Sequence, residues 1–305
     1  MAKNYFDSEI CGKDSWRKIY QYVEAWEPLI DSILEKENLP VSKVENLSPG
    51  TNAVYKSGEY AVKIFAPKES GFGDIAVYES ELFALSFAQS HGVSVPKLIA
   101  SGIADDKYCF PYMIMDYIEG VEFSEHSKNF TDADKISFAK RMREITDKMN
   151  IPCGSFNNID VKQRHERWDE DGFSESFMTE RLEYIKSHDF GEMVFIHGDL
   201  CGDNMLIDSK NNIYVIDFAD AVKAPRCYEH AHLASELFGF DKSYLRGYFG
   251  EYRTKELVDT CFDGILLHDF GGYIINEYLA KAENIKCLKD LRDKIHCMIN
   301  LNSID

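Results

Sequence analysis

No run of apolar residues in this 305-residue chain approaches the ~18 that a membrane-spanning helix needs, and the opening stretch MAKNYFDSEICGK lacks the apolar core of a signal peptide. A cytoplasmic protein without membrane contact is expected. Paired cysteine spacing is also missing. The eight cysteines are scattered, with no C-x-x-C and no Cys/His spacing of a zinc site, so they are expected to be reduced and to pack as small hydrophobes. Basic residues are scarce: 34 Lys and Arg stand against 52 Asp and Glu, a formal charge of −18. That balance argues against nucleic-acid binding, which calls for a basic surface to replace the counterions around phosphates. An acidic field favours a cationic small molecule instead. There is no internal repeat and no low-complexity tract, and nothing calls for an obligate protein partner. With 45% hydrophobic residues, the chain can bury the core of one large or two ordinary domains.

Residues that carry chemistry concentrate between Phe195 and Asp220, in FIHGDLCGDNMLIDSKNNIYVIDFAD. Val194 to Ile196 is a strand-forming run that ends in His197-Gly198-Asp199. Met205 to Ile207 and Ile213 to Ile216 are two more, and Asp208-Ser209-Lys210-Asn211-Asn212 between them has turn chemistry, which predicts a β-hairpin. A hairpin brings its outer ends together. Asn204, just before the first strand, then lies beside Asp217, at the end of the second, and both face the loop that carries Asp199. Magnesium is a hard ion that prefers oxygen ligands and keeps several waters, so one carboxylate and one amide oxygen suffice from the protein. Asn204 and Asp217 fit that pair as metal ligands. Asp199 is left as the carboxylate that can accept a substrate hydroxyl's proton, the arrangement phosphoryl transfer requires. Asp220 can cap the next segment or assist the metal. Cys201 has no base beside it to make it a nucleophile.

The order Asp, Asn at +5 and Asp-Phe at +18 resembles the catalytic loop and metal motif of protein kinases. Gly198 stands where those enzymes have Arg, and Ala219 where they have Gly. With those two departures the stretch is similar to the aminoglycoside phosphotransferase and choline kinase-like small-molecule kinases, whose loop reads H-G-D-x-x-x-x-N followed by I-D-[FW]. The resemblance implies an α+β, bilobal protein-kinase-like fold, with a small antiparallel β-sheet N-lobe of five strands and one helix and a larger helical C-lobe. It also implies Mg²⁺ as cofactor, ATP or GTP as co-substrate, and His197 as a packing residue that fixes the loop.

Further residues follow from the same resemblance. Strands at Val44 to Leu47, Ala53 to Lys56 and Tyr60 to Phe65 predict a meander, and the first turn, Ser48-Pro49-Gly50-Thr51-Asn52, occupies the place of the phosphate-covering loop. Ser48 and Asn52 are its candidate nucleotide contacts, although the loop has one Gly in place of G-x-G-x-x-G. Ala61-Val62-Lys63-Ile64 resembles the V-A-I-K strand, whose Lys reaches the α- and β-phosphates; taken alone, such a Lys also reads as an edge-strand gatekeeper. Glu79 and Glu81, on a helix predicted over 75–90, are both available to hold it, and the HGVSVPKLI segment that follows favours Glu81. After Lys97 to Ala100, the run Tyr112 to Tyr117 implies the last N-lobe strand and hinge. There the Asp116 carbonyl and the Ile118 N–H would contact the base, with Met115 behind it.

The remainder reads as helical. An aromatic stripe over 14–38 predicts a helix that Pro28 kinks or divides, and helices are expected near 132–150, 173–186, 228–238, 243–249, 254–267, 271–281 and 287–301. The expected organisation is an N-terminal helical extension (1–40), the N-lobe (41–115), a hinge (116–120) and the C-lobe (121–305). The same resemblance implies acceptor contacts from acidic and aromatic residues here, with Trp168-Asp169-Glu170-Asp171, Glu229 and Asp269-Phe270 as candidates, each of which taken singly reads as a solvated or capping residue; His230 and His232 are expected to pack. The family's D-P-x-x-D-L-A segment is replaced here by APRCYEHA (224–231). The expected activity is transfer of the γ-phosphoryl of ATP or GTP to a hydroxyl of a small cationic molecule, an aminoglycoside first. Choline, a sugar or another amino-alcohol is the alternative, and a nucleotide-binding regulator without turnover is the alternative from another class.

Overall fold

The computed structural model describes residues 4–48, 50–164 and 167–301, and contacts divide the chain into two compact units, Met1–Gln89 with Ser94–Gly120, and Ser90–Val93 with Val121–Asp305. Pro49 of the expected phosphate-covering loop lies outside the described residues.

The first unit opens with α1 (Lys13–Ile19) and α2 (Val23–Lys36), followed by β1 (Val44–Asn46), β2 (Ala53–Ser57), β3 (Tyr60–Ile64), α3 (Ile75–Ser90), β4 (Leu98–Asp105) and β5 (Cys109–Asp116). The strands form one five-stranded antiparallel sheet in the order β1-β2-β3-β5-β4. Strand alternation gives the sheet two unlike faces. Ala53, Tyr55, Val62, Ile64, Phe110, Tyr112 and Ile114 share a core with Trp16, Trp26, Leu29, Ile30, Ile33 and Leu34 of the two helices. The residues between them in register, Ala61 opposite Met115 and Lys63 opposite Met113, alternate to the other face.

Residues 1–40 thus supply half of this core. The predicted single helix breaks at Tyr20–Tyr22, and Pro28 sits inside α2 without ending it. Side chains decide the break: the Trp26 indole donates to the Ile19 carbonyl (2.9 Å) and the Tyr55 hydroxyl to the Tyr20 carbonyl (2.8 Å), satisfying acceptors that the end of α1 leaves open. Pro28 costs one intrahelical bond, which burial of the apolar stripe outweighs. Residues 5–10 strap back onto the β4–β5 turn. Tyr5 and Phe6 N–H donate to the Asp106 carboxylate (2.8 and 3.1 Å), Ile10 N–H donates to the Tyr108 hydroxyl (2.9 Å), and the Phe6 ring lies 5.1 Å from Phe110. The hairpin β4–β5 runs well beyond the predicted segment Lys97 to Ala100, because pairing with β5 extends Gly102-Ile103-Ala104-Asp105, whose own strand propensity is weak.

The second unit contains β6 (Gly120–Glu122), α4 (Phe123–His126), α5 (Asp132–Met149), α6 (Glu175–Ser187), β7 (Met193–Ile196), β8 (Met205–Asp208), β9 (Ile213–Val215), β10 (Val222–Pro225), α7 (Arg226–His232), α8 (Lys242–Phe249), α9 (Thr254–Leu267), α10 (Gly271–Ile274) and α11 (Leu288–Leu301). Thr131 and Asp134 close a capping box at the start of α5. Stacking of Phe123 on Phe138 (centroids 3.9 Å apart) ties α4 to α5. Gly264 lets α9 close on α7, since an added Cβ would overlap the Cys227 carbonyl oxygen and the Ala231 methyl. Small pairings place the loops that matter for function: β7 with β10, and β8 between β6 and β9. Two helices end in π-turns, Leu233–Leu237 after α7 and Ile275–Leu279 after α10. Among the described residues, no helix is long and apolar enough to cross a membrane.

Candidate active site

Strand β7 is buried along its last three residues and delivers His197-Gly198-Asp199 to its end. His197 is fully buried, as expected of a residue that fixes the loop. Its ring Nδ1 accepts the Asp199 N–H (3.2 Å), so Nε2 carries the proton and donates to the Ile216 carbonyl (3.1 Å). Its own backbone N–H donates to Glu229 Oε2 (2.8 Å). Glu229 therefore braces the loop from inside, and its complete burial withdraws it from the candidate acceptor contacts. Burial raises its pKa, and the hydrogen bonds from the loop and the charge of His232 oppose that shift. Gly198 has φ +85°, and a Cβ there would overlap the Asp220 carbonyl oxygen. A side chain at 198, such as the Arg of protein kinases, has no room in this loop.

Asp199 is held on one side by Asn204, whose amide N donates both to the Asp199 carbonyl and to Oδ2, each at 2.8 Å. The Asn204 amide oxygen is left as the donor atom for a cation. The predicted hairpin β8–β9 forms with Met205 opposite Val215 and Ile207 opposite Ile213, Asp208 tying its turn, so that Asn204 falls opposite Ile216, one residue short of the expected Asp217. The Ile216 N–H donates to the Asn204 carbonyl (3.0 Å), so Asp217 follows directly on a residue bonded to Asn204. Asp217 is exposed at φ +57°, the left-handed region that Asp tolerates better than most residues, and its Oδ1 accepts the Ala219 N–H (3.4 Å). Two hard oxygen donors of this kind, one amide and one solvent-facing carboxylate, suit Mg²⁺, which fills its remaining positions with water and phosphate oxygens.

Electrostatics sets the state of the loop. Burial pushes Asp199 up to about 6, opposed by the charge of His232 and reinforced by Asp220, Glu236 and Asp217. Cys201 is driven up to about 12 by burial and by Asp199, which excludes a thiolate nucleophile. Asp220 is also raised by burial, partly offset by Arg167, whose Nη2 lies 3.5 Å from Oδ1. Arg164 and Arg167 both approach Oδ2 of the buried Asp269 at 3.3 Å, and Arg167 lies 4.1 Å from the Phe270 ring. Asp269 is thereby committed to two guanidiniums. Trp168 is buried, with its indole donating to the His268 carbonyl (2.9 Å), so it packs and does not face an acceptor.

In the first unit, Lys63 lies on β3, between β2 and β5, which removes the edge-strand reading. Its Nζ is 2.6 and 2.8 Å from the two oxygens of Glu81, with both side chains 5% exposed, while Glu79 is exposed to solvent. Met113 and Met115 share the face of Lys63. Asp116 closes β5: its N–H donates to the Lys97 carbonyl (3.0 Å) and its carboxylate accepts the Lys97 N–H. Tyr117 N–H then donates to the Glu59 carbonyl (2.8 Å), leading to a half-buried Ile118. Ser48 is exposed, whereas Asn52 Oδ1 accepts the Ala66 N–H (3.1 Å), which ties the end of the loop to the exit of β3. The Trp16 indole donates to the Thr51 carbonyl (2.9 Å) and anchors the same loop from the core.

His232, Glu236, Arg164 and Arg167 gather around Asp199, Asp220 and Asp269 without forming a sequence motif, and distant charged residues converge there only through tertiary packing. A helical i, i+4 pair, His232 and Glu236, was the one visible signal.

The model of a family described as "Phosphotransferase enzyme family" matches residues 51–258. Among solved structures, the chain is similar to wild-type aminoglycoside 2'-phosphotransferase-IIIa in its GDP complex, at 17% identity over 90% of this chain and 94% of that one, with a TM-score of 0.58. It is also similar to APH(2")-IIa in a ternary complex with streptomycin and ATP, at 15% identity over 86% and 97%, with a TM-score of 0.56. A choline/ethanolamine kinase family protein from Mesorhizobium loti matches at 17% identity over 87% and 89%, with a TM-score of 0.52. At these identities the likeness is one of fold, and the fold is protein-kinase-like.

Proposed function

Since the chain belongs to the phosphotransferase enzyme family, we propose that it transfers the γ-phosphoryl group of ATP or GTP to a hydroxyl of a small cationic molecule, an aminoglycoside first. The observation that carries this reading is the grip of Asn204 on Asp199. One side chain orients the carboxylate that must meet the acceptor hydroxyl and, with the same amide's oxygen, offers a ligand to the metal.

In this reading Asp199 Oδ1 or Oδ2 aligns the acceptor hydroxyl for in-line attack and takes its proton as the P–O bond forms. The ionised form is required, and Asn204 keeps the carboxylate fixed while His197 fixes the backbone beneath it. Asn204 and Asp217 would hold Mg²⁺, which supplies charge neutralisation on the phosphate oxygens when bound. Lys63, oriented by Glu81, would take the α- and β-phosphates. Ser48 and Asn52 would flank the loop over the nucleotide, and the Asp116 carbonyl and Ile118 N–H would receive the base beside Met115. Side-chain carboxylates near Asp199, namely Glu236, Asp217 and Asp220, favour a cationic acceptor.

The choline/ethanolamine kinase likeness supports a second acceptor class, a small amino-alcohol. Incubating the protein with Mg-ATP or Mg-GTP and separate panels of aminoglycosides and amino-alcohols, with mass spectrometry of the products, decides between them. A phosphorylated aminoglycoside confirms the first reading. Phosphorylated amino-alcohol alone confirms the second, and nucleotide binding without any transfer would leave a regulatory nucleotide-binding protein.

A further inference from the structure

His232 ends α7 fully buried, yet its one hydrogen-bonded ring atom points at the catalytic loop. Nε2 is 2.9 Å from Glu236 Oε2 and 3.7 Å from Asp199 Oδ1, while Nδ1 has no partner among the described residues. The ring plane is fixed by stacking on His268 (centroids 4.9 Å apart, 18° between planes), which in turn stacks on Tyr228 at 4.0 Å. Glu236 is placed by the π-turn that begins directly after His232, a local widening that often marks functional sites. A buried imidazole is ordinarily neutral, and burial does work against its charge. The hydrogen bond to Glu236 and the charges of Glu236, Asp199 and Glu229 outweigh burial and raise its pKa.

We propose that His232 is a positioning residue for phosphoryl transfer: its Nε2–H, donated to Glu236, lies beside Asp199 Oδ1 and draws that oxygen by charge while Asn204 holds Oδ2. This rests on the phosphotransfer reading above. A carboxylate gripped at one oxygen can still swing about its Cβ–Cγ bond, and a second contact removes that freedom. The 3.7 Å separation is an ion-pair distance and not a hydrogen bond, so this contact steadies Oδ1 by charge while the Nε2–H stays on Glu236. His232 touches neither acceptor nor nucleotide. It acts only through Asp199.

The test is a double-variant cycle read in steady-state kinetics with the preferred acceptor, with urea unfolding of every variant to establish that it folds. His232→Leu should lower kcat by about 10²-fold, the scale of losing about 1 Å of alignment, and leave nucleotide and acceptor KM within about twofold of the parent. His232→Gln, whose amide has one N–H for Glu236 and a second for Oδ1, should recover most of that loss. In an Asp199→Asn background, His232→Leu should cost nothing further, because the group it positions no longer accepts a proton. Equal losses in the parent and Asp199→Asn backgrounds would overturn the proposal, as would parental kcat in His232→Leu or a loss carried by KM. A parent inert towards every acceptor in the panel would remove the phosphotransfer reading itself, and this inference with it. An active parent with additive variants removes this inference alone.

Discussion

Replacing Glu81 separates what the Lys63–Glu81 pair does for the fold from what Lys63 does for nucleotide. Both side chains are 5% exposed and Nζ sits within 2.8 Å of both carboxylate oxygens, so Glu81→Ala takes from a buried ammonium the carboxylate that grips it with both oxygens. Breaking one side of such a pair costs about 3–5 kcal/mol, whereas substituting both partners by apolar groups of similar volume is close to neutral. For a urea slope of about 2 kcal/mol per molar, the single change should lower the unfolding midpoint by about 2 M, and Lys63→Met with Glu81→Leu should restore it. Nucleotide affinity should not follow stability. The double variant lacks a charge-assisted contact worth about 1.5–3 kcal/mol, so its Kd for Mg-ATP should rise roughly ten- to a hundredfold although the protein folds as well as the parent. Urea titrations followed by tryptophan fluorescence, together with calorimetric nucleotide titrations, give both numbers. A Glu81→Ala midpoint equal to the parent's would refute the buried-pair argument, and parental affinity in the double variant would refute the phosphate role of Lys63.

Asp199→Asn should reduce kcat by about 10²–10⁴-fold with nucleotide Kd unchanged, which single-turnover and equilibrium titrations distinguish. With Asp199 raised to about 6 by burial and active as the anion, kcat/KM should be at its plateau above about pH 7 and fall as pH drops through about 6. An acid limb near 4 in the free protein would contradict that environment. Asp217→Asn removes a charge from an exposed loop residue, so Mg²⁺-dependent nucleotide binding should be lost while the urea midpoint stays at the parental value. Gly198→Ala combines a left-handed backbone with overlap on the Asp220 carbonyl and should destabilise the protein by about 2–4 kcal/mol, visible as a lower urea midpoint, and by displacing Asp199 it should lower kcat as well.

The parts of the fold legible in the sequence are those fixed by local periodicity and turn chemistry. Hairpin β8–β9, the β2–β3 turn around Gly58, the capped start of α5 and the span of α9 each carry their own signal in adjacent residues. Asp199, Asn204 and Asp217 stood out by their spacing along short elements, and Lys63 and Glu81 by the resemblance of their segments; the structure brings Asn204 onto Asp199 and Glu81 onto Lys63. What stayed hidden depends on contacts between distant segments. The break at Tyr20–Tyr22 is set by Trp26 and Tyr55, and the outer half of β4 by its pairing with β5. Glu229 read as a candidate acceptor contact because its burial beneath His197 has no local signature, and nothing in the sequence around Arg164 and Arg167 announces that packing sets them beside Asp269 and Asp220.

The strap of residues 5–10 has a consequence for how the chain is made. Its partners, Asp106, Tyr108 and Phe110, lie about a hundred positions downstream, and the sheet face that Trp16 and Trp26 cover is incomplete until β5 exists. At about 5–20 residues per second, a ribosome needs on the order of 5–20 s to pass from Phe6 to Phe110. For that interval Phe6, Trp16, Trp26 and the apolar side of α2 can close only on one another and on β1–β3, without the part of the sheet face that β4 and β5 complete. The first unit is therefore the one whose emergence on the ribosome exposes a sticky aromatic segment, and chaperone binding during synthesis should fall away once Asp116 has cleared the exit.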